Sequence, residues 1–218
     1  MKVAILISSR GSNMQALVRA SKQAGFPAEI VTVLSNNPEA GGLEYAKENG
    51  IPTKVINHRD FENREDFDTA ISKYLTEQKV DLICLAGFMR LLTLDFVNRW
   101  RDRIINIHPS LLPAFKGLHV HERALESGTR FTGCTVHYVR PEMDDGPIIA
   151  QAVVPILTGD TPEVLAERIL VQEHRIYPLA LKLIAERKIK VHGSIATISG
   201  ADESLATLTN PLVISDAD

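Results

Sequence analysis

The feature that most constrains the fold is an alternation, through the first half of the chain, of short apolar runs with amphipathic or charged stretches. Residues 2–7 (Lys2 to Ile7) read as a strand, and 12–23 as a helix that opens after Gly11-Ser12-Asn13. Residues 28–34 give a second strand, ended by Ser35-Asn36-Asn37-Pro38, and 40–48 a helix stopped by Asn49-Gly50. Residues 54–56 make a short third strand, and 61–78 a long charged helix. The run Leu82-Ile83-Cys84-Leu85-Ala86 has no polar alternation, as expected of a strand covered on both faces. Strands separated by helices close into a parallel sheet through right-handed crossovers. The rhythm therefore predicts an α/β fold with a doubly wound, mostly parallel sheet in the N-terminal half.

Beyond residue 104 the rhythm changes. Ile104-Ile105 reads as the end of a short buried strand, while 132–139 and 148–155 read as two strands joined by a turn at 144–147. That pattern predicts antiparallel pairing at one side of the sheet. Asp160-Thr161-Pro162-Glu163 is a strong helix start, with a capping side chain, a first-turn proline and an acid at the positive end. The long helix it opens runs to about Ala185, with Pro178 expected to kink or divide it. Residues 188–192 read as a final edge strand, and 193–218 as a surface-packed or flexible tail. With no linker visible, residues 1–190 read as one domain, its N-terminal lobe about 1–100 and its C-terminal lobe about 101–190.

Composition narrows the class. Apolar residues make up 44% and charged residues 23%, ordinary for a globular enzyme. A net charge of −3 gives no basic surface for nucleic acid or anionic lipid. No apolar run approaches the ~20 residues that span a bilayer. The opening strand is too short for a signal peptide and lacks a cleavage pattern. Cys84 and Cys134 each sit inside an apolar run, so the expectation is two buried free thiols and a cytoplasmic location.

Four places carry chemistry. Ser8-Ser9-Arg10-Gly11-Ser12-Asn13 lies between a strand and a helix, where free backbone N–H groups hold phosphate. It is neither a dinucleotide nor a Walker loop, and a helix start without a ligand explains it equally well. Asn106 and His108, two residues apart before Pro109, face one side of an extended segment. An amide donor and an imidazole there suit a carbonyl oxygen that becomes negative, and Asp144, in the turn Met143–Pro147, would supply the carboxylate that keeps such a histidine charged. Each of these residues also has a plain reading as a turn former or a satisfied loop group. His119 and His121, with His108 or Asp144, offer a zinc alternative, though no clustered ligand spacing supports it. Cys134 and His137, three apart on a strand, face opposite sides and cannot act as a nucleophile–base pair. Phe88-Met89-Arg90-Leu91-Leu92 follows a strand end, where ligands collect in open parallel sheets.

Taken together, ISSRGSNMQAL (7–17), AGFMRLL (86–92), INIHPSLLPAFKGLH (105–119), GCTVHYV (133–139), MDDGPIIAQ (143–151) and QEHRIYP (172–178) resemble the glycinamide ribonucleotide formyltransferase family. The resemblance runs from residue 1 to about 190 and implies the formyltransferase fold. It implies a catalytic set of Asn106, His108 and Asp144. Gly11, Ser12 and Asn13 would hold the phosphate of glycinamide ribonucleotide, and Glu173, with Leu170, Val171 and Gln172, its ribose or glycinamide part. Arg64, Met89, Arg90, Leu91, Leu92, Asn106, Arg140, Pro141, Glu142, Met143 and Asp144 would bind the co-substrate 10-formyltetrahydrofolate. No metal is implied. Two positions depart from the family pattern: Ser9 and Asp145 stand where glycine is usual, and Asp145 puts a second carboxylate beside Asp144.

Three rivals remain. A formyltetrahydrofolate deformylase is expected to carry a regulatory domain ahead of strand one. A methionyl-tRNA formyltransferase is expected to carry an RNA-binding domain where this chain has a short acidic tail. A non-catalytic, doubly wound ligand-binding or signalling domain is the third; a phospho-receiver would need acids where Ser8-Ser9 stand.

Overall fold

The computed structural model describes residues 1–200 and 208–210. The strands are β1 (Lys2–Ile7), β2 (Glu29–Ser35), β3 (Thr53–Val55), β4 (Leu82–Leu85), β5 (Ile104–His108), β6 (Phe131–Tyr138) and β7 (Ile148–Pro155). They form one seven-stranded sheet in the order β3-β2-β1-β4-β5-β6-β7. The first five are parallel, and β6 and β7 return antiparallel. The helices are α1 (Ser12–Ser21), α2 (Gly42–Glu48), α3 (Arg64–Glu77), α4 (Leu94–Arg99), α5 (Val120–Glu126) and α6 (Pro162–Ala185).

The central strands lack alternation because both faces are covered. Val3, Ile5, Ile7, Leu82 and Cys84 pack with Met14, Leu17, Val18 and the α6 residues Ile169, Ile176, Tyr177 and Leu181. Ala4, Leu6, Ile83 and Leu85 pack on the other face with Phe67, Ile71 and Leu75 of α3, Phe96 of α4 and Trp100 just beyond it. Ile105 and Ile107 of β5 point to the α1/α6 side. Asn106 and His108 therefore face the α3/α4 side.

The predicted elements appear with their ends shifted by at most three residues, but four features differ. Asn106 and His108 lie inside β5 rather than after it. Helices α4 and α5, of six and seven residues, were not foreseen, because fewer than two turns leave too little periodicity to read. Pro178 does not divide α6, which runs unbroken for 24 residues; proline removes a single N–H, and Tyr177, Ala180 and Leu181 hold both sides of that turn in the core. Finally, Ile189–His192, expected as an edge strand, pairs instead with a ninth strand, Ile195–Ile198, in a separate two-stranded sheet. Within the expected tail, that ninth strand is regular, and the Asn210 side chain donates to the carbonyls of Arg130 and Ile156. Residues 201–207 and 211–218 of that tail lie outside the described residues.

The start of α6 follows its sequence signals. Thr161 Oγ1 accepts from Val164 N, Pro162 fills the first turn, and Asp160 holds Arg168 through both oxygens. Deeper in, the Tyr177 hydroxyl lies within 2.9 Å of the Leu85 carbonyl and 3.2 Å of the Ile105 carbonyl, fixing α6 across the ends of β4 and β5. Tyr177→Phe is expected to lower the free energy of unfolding by about 1–2 kcal/mol, the scale of one buried hydrogen bond. Urea denaturation reads this directly.

Candidate active site

Parallel strands point their carboxyl ends to one edge, and the order reverses between β1 and β4. The segments after these two strands therefore flank a crevice at the switch point. After β1 the chain turns at Gly11, whose φ of +64° is left-handed, and α1 begins with no side-chain cap. The first-turn N–H groups of Ser12 and Asn13 are thus left for a ligand. The start of α2 packs against this turn: Gly42 N donates to the Ser9 carbonyl, and a Cβ at Gly42 would sit 2.6 Å from Ile7 and 3.1 Å from the Arg10 carbonyl. Ser9, unusual for the family, contributes only this carbonyl and leaves its side chain exposed.

Asn13 Nδ2 donates to Glu173 Oε2 at 2.6 Å, so the first turn of α1 and the middle of α6 meet in one site. Glu173 is 7% exposed, and burial pushes its carboxyl up, opposed by the Asn13 bond. Asn13 Oδ1 is buried without a partner. Gln172 and Leu170 are half-buried beside Glu173, whereas Val171 is exposed.

After β4 comes the Phe88–Leu92 loop. Met89 N donates to Ser8 Oγ, and Ser8 N to the Gly87 carbonyl, tying this loop to the one after β1. Met89 and Leu91 are 69% and 61% exposed, two neighbouring apolar side chains on one loop that suit an apolar ring laid against them. Arg64 lies exposed in the first turn of α3.

The third group sits on β5 and β6. Asn106 pairs across the sheet with His137, and His108 with Thr135, so all four side chains share a face. The β6–β7 loop folds over that face and brings Asp144 Oδ2 to 3.4 Å from His108 Nδ1. Gly117 N donates to the same oxygen at 2.8 Å. His108 Nε2 lies 3.0 Å from the Phe115 carbonyl. Both ring nitrogens thus face oxygens, a pattern the doubly protonated imidazole satisfies. Asp145 points elsewhere and pairs with Lys116, so Asp144, not its unexpected neighbour, meets His108. Arg140 turns away toward Asp102, 2.5 Å from its carboxylate, while Pro141, Glu142 and Met143 are exposed along the loop.

Three contributors were missed or misread from sequence. His137 entered only as a rejected base partner for Cys134, yet its Nε2 lies 3.4 Å from Asn106 Nδ2. Its Nδ1 meets the Tyr138 carbonyl at 3.0 Å, and burial pushes its pKa down, so it is held neutral with Nε2 as an acceptor. Its place opposite Asn106 depends on strand register, which no local signal gives. Ser8 bridges two loops from the first position beyond β1. Thr135, fully buried, donates to the Ser110 carbonyl and accepts from Leu112 N and Gln151 Nε2, fixing the loop after β5.

Among the described residues no three His, Cys, Asp or Glu side chains are grouped to hold a metal ion, and His119 lies exposed beside Glu122. Both cysteines are buried and free. Burial pushes the Cys134 thiol up to about 12 and Cys84 in the same direction, so neither offers a thiolate. No helix of the described residues is long and apolar enough to cross a membrane.

Glu173 yields a sign-defined expectation. Its carboxyl titrates above the ordinary value of 4.5, so ionising it disfavours the folded state. That penalty is complete above the raised folded value and fades as pH falls toward 4.5. Glu173→Gln, which can still accept from Asn13, should raise the melting temperature at pH 7.5 by about 2–4 °C, the shift that about 1 kcal/mol gives at this size. Near pH 4 the gain should vanish, as a pH series of thermal melts would record.

The formyl transferase family pattern matches residues 1–181. The phosphoribosylglycinamide formyltransferase of Escherichia coli is 40% identical over 92% of this chain and 94% of its own length. The crystal structure of glycinamide ribonucleotide transformylase 1 from Symbiobacterium toebii superposes with a TM-score of 0.89 at 43% identity, covering 91% of this chain and 94% of that one. The bovine trifunctional purine biosynthetic protein adenosine-3 is 49% identical over 87% of this chain, which spans only 19% of that protein. A formyltetrahydrofolate deformylase from Pseudomonas syringae shares the fold, with a TM-score of 0.85 at 24% identity over 91% of this chain and 65% of that one. The chain belongs to the formyl transferase family, whose phosphoribosylglycinamide formyltransferases match it over nearly their whole length.

Proposed function

We propose that this protein transfers the formyl group of 10-formyltetrahydrofolate to the amine of glycinamide ribonucleotide, giving formylglycinamide ribonucleotide and tetrahydrofolate in de novo purine biosynthesis. One observation carries the reading: a phosphate-type helix start, an exposed apolar loop and an amide–imidazole–carboxylate cluster converge on one edge of the sheet. A nucleotide, a heteroaromatic donor and a reacting carbonyl each find a matching chemistry there.

In this reading Gly11, Ser12 and Asn13 hold the ribonucleotide phosphate through backbone N–H groups, and Glu173 accepts from hydroxyl or amide donors, with Leu170 to Gln172 beside it. Met89 to Leu92 and the loop Arg140 to Asp144 enclose the pterin, and Arg64 meets the negative tail of the folate. The N-terminal lobe, about 1–100, then carries the phosphate site, and the C-terminal lobe, about 101–190, the catalytic cluster. The buried, unpaired thiols fit a cytoplasmic location.

The neutral amine attacks the formyl carbon, and the carbonyl electron pair moves onto oxygen. Asn106 donates to that oxygen from its amide. His108 donates from Nε2, where the developing oxyanion replaces the neutral Phe115 carbonyl; a charged acceptor makes the stronger bond. Asp144, held by Gly117 N, orients the imidazole from Nδ1. The tetrahedral intermediate collapses by breaking the bond to the folate nitrogen, and the proton lost by the attacking nitrogen ends on that leaving nitrogen, relayed through water. The atoms balance without a metal or a covalent enzyme intermediate. Holding both substrates in one crevice supplies much of the rate.

Asn106→Ala and His108→Ala should each lower kcat by about 10²–10³, as expected for losing an oxyanion donor. Near-wild-type turnover in either purified variant would exclude the assignment. The acceptor is tested by following tetrahydrofolate release. Release should require glycinamide ribonucleotide; release into water alone would mark a deformylase, and no release with any acceptor a binding domain.

A further inference from the structure

The loop assigned to the folate hangs between two anchors. At its start, Ser8 Oγ accepts from Met89 N. At its end, Thr93 N donates at 2.6 Å to the Oδ2 of Asp68, a carboxylate of α3 that is only 3% exposed. The Thr93 hydroxyl in turn caps α4 by accepting from Phe96 N. One turn further along α3, Ser72 Oγ accepts from Trp100 Nε1 at the far end of α4. Arg64, Asp68 and Ser72 are spaced i, i+4, i+8 and so share one line along the helix. A single face of α3 therefore carries the arginine for the folate tail, the anchor of the folate loop and the second clamp on α4.

Asp68 is a costly choice for a mere helix contact. Its Oδ1 is buried with no partner. Burial pushes its carboxyl up, opposed first by the bonds from Thr93 and then by Arg64. A buried, half-satisfied carboxylate weakens a fold, so its presence calls for a reason beyond packing.

We infer that Asp68 is a positioning residue for the folate: through Thr93 N it fixes the end of the Met89–Leu92 loop, and with it the distance from that loop to Arg64. Asp68 touches no substrate. It acts on the geometry of the loop, so its effect falls on the folate and not on the ribonucleotide or the chemical step. This rests on the reading of Met89–Leu92 as folate-binding.

The test is steady-state kinetics of Asp68→Ala, Asp68→Asn and Met89→Ala with both substrates varied. Asp68→Ala should raise KM for 10-formyltetrahydrofolate roughly 10-fold, the scale of one charge-assisted hydrogen bond. KM for glycinamide ribonucleotide and kcat should stay within about 2-fold. Asp68→Asn, whose amide oxygen can still accept from Thr93 N, should restore the folate KM. A purely structural role would move both KM values, or fail to separate Ala from Asn, and either result overturns the inference. If Asp68→Ala does not fold, Asp68→Leu, which removes the acceptor for Thr93 N and keeps close to the buried volume, is read the same way. A raised folate KM in Met89→Ala with none in Asp68→Ala removes only the role of Asp68; an unchanged folate KM in both removes the loop reading as well.

Discussion

The site depends on one reversal of strand direction. Up to β5 every strand is parallel, so every carboxyl end reaches the same edge, and the crevice there could hold ligands without any further chemistry. Because β6 runs antiparallel, it begins at that edge and sets His137 directly across from Asn106. A parallel β6 would have needed a crossover element and would have placed its own amino end elsewhere. The hairpin loop then folds over the polar face and delivers Asp144, whose φ of +52° lies in a region that aspartate tolerates better than most residues. The proposed oxyanion donors, Asn106 and His108, thus belong to the sheet, while the carboxylate belongs to a loop. Loop residues Gly117 and Lys116 receive Asp144 and Asp145 in turn.

Much of what holds the site together does no chemistry. Arg123 of α5 donates to the carbonyls of Lys116 and Leu118, steadying the segment that grips Asp144. Thr135 fills its hydroxyl with three partners and leaves the Ser110–Leu112 turn little freedom. Tyr177 locks the helix carrying Glu173 onto two strand ends. Thr135 and Tyr177 are buried polar groups with their partners in place, which restrict the fold to one arrangement.

The sequence made the sheet legible because its central strands are apolar on both faces, a pattern few other elements share. It made Asn106 and His108 legible as a pair, since a spacing of two in an extended segment fixes a common side. Residues that act through register or tertiary contact stayed hidden: His137 becomes significant only when β6 is paired with β5, and Ser8 only when the loop after β4 is laid beside it. Pro178 misled for a related reason. Its local preference argues against a continuous helix, but the tertiary contacts of Tyr177, Ala180 and Leu181 outweigh one missing hydrogen bond. The ambiguity between Asp144 and Asp145 was likewise beyond the sequence, because it is settled by where Lys116 and Gly117 stand.

Two histidines near one carboxylate could compete for it, and the structure separates them by environment. Burial lowers the pKa of His137, and the Tyr138 carbonyl claims its one proton at Nδ1. Its Nε2 is left as a lone pair 3.4 Å from the amide nitrogen of Asn106 and 3.8 Å from Asp144, too far to hydrogen-bond the carboxylate. Asp144 is therefore free for His108. The neutral ring also sets the amide: a lone pair attracts the NH2 end of Asn106, whereas a protonated His137 would attract its oxygen and turn a donor into an acceptor. Asn106 can act on an oxyanion only while His137 stays uncharged, and it is burial in the sheet, more than any residue at the reacting centre, that keeps it so.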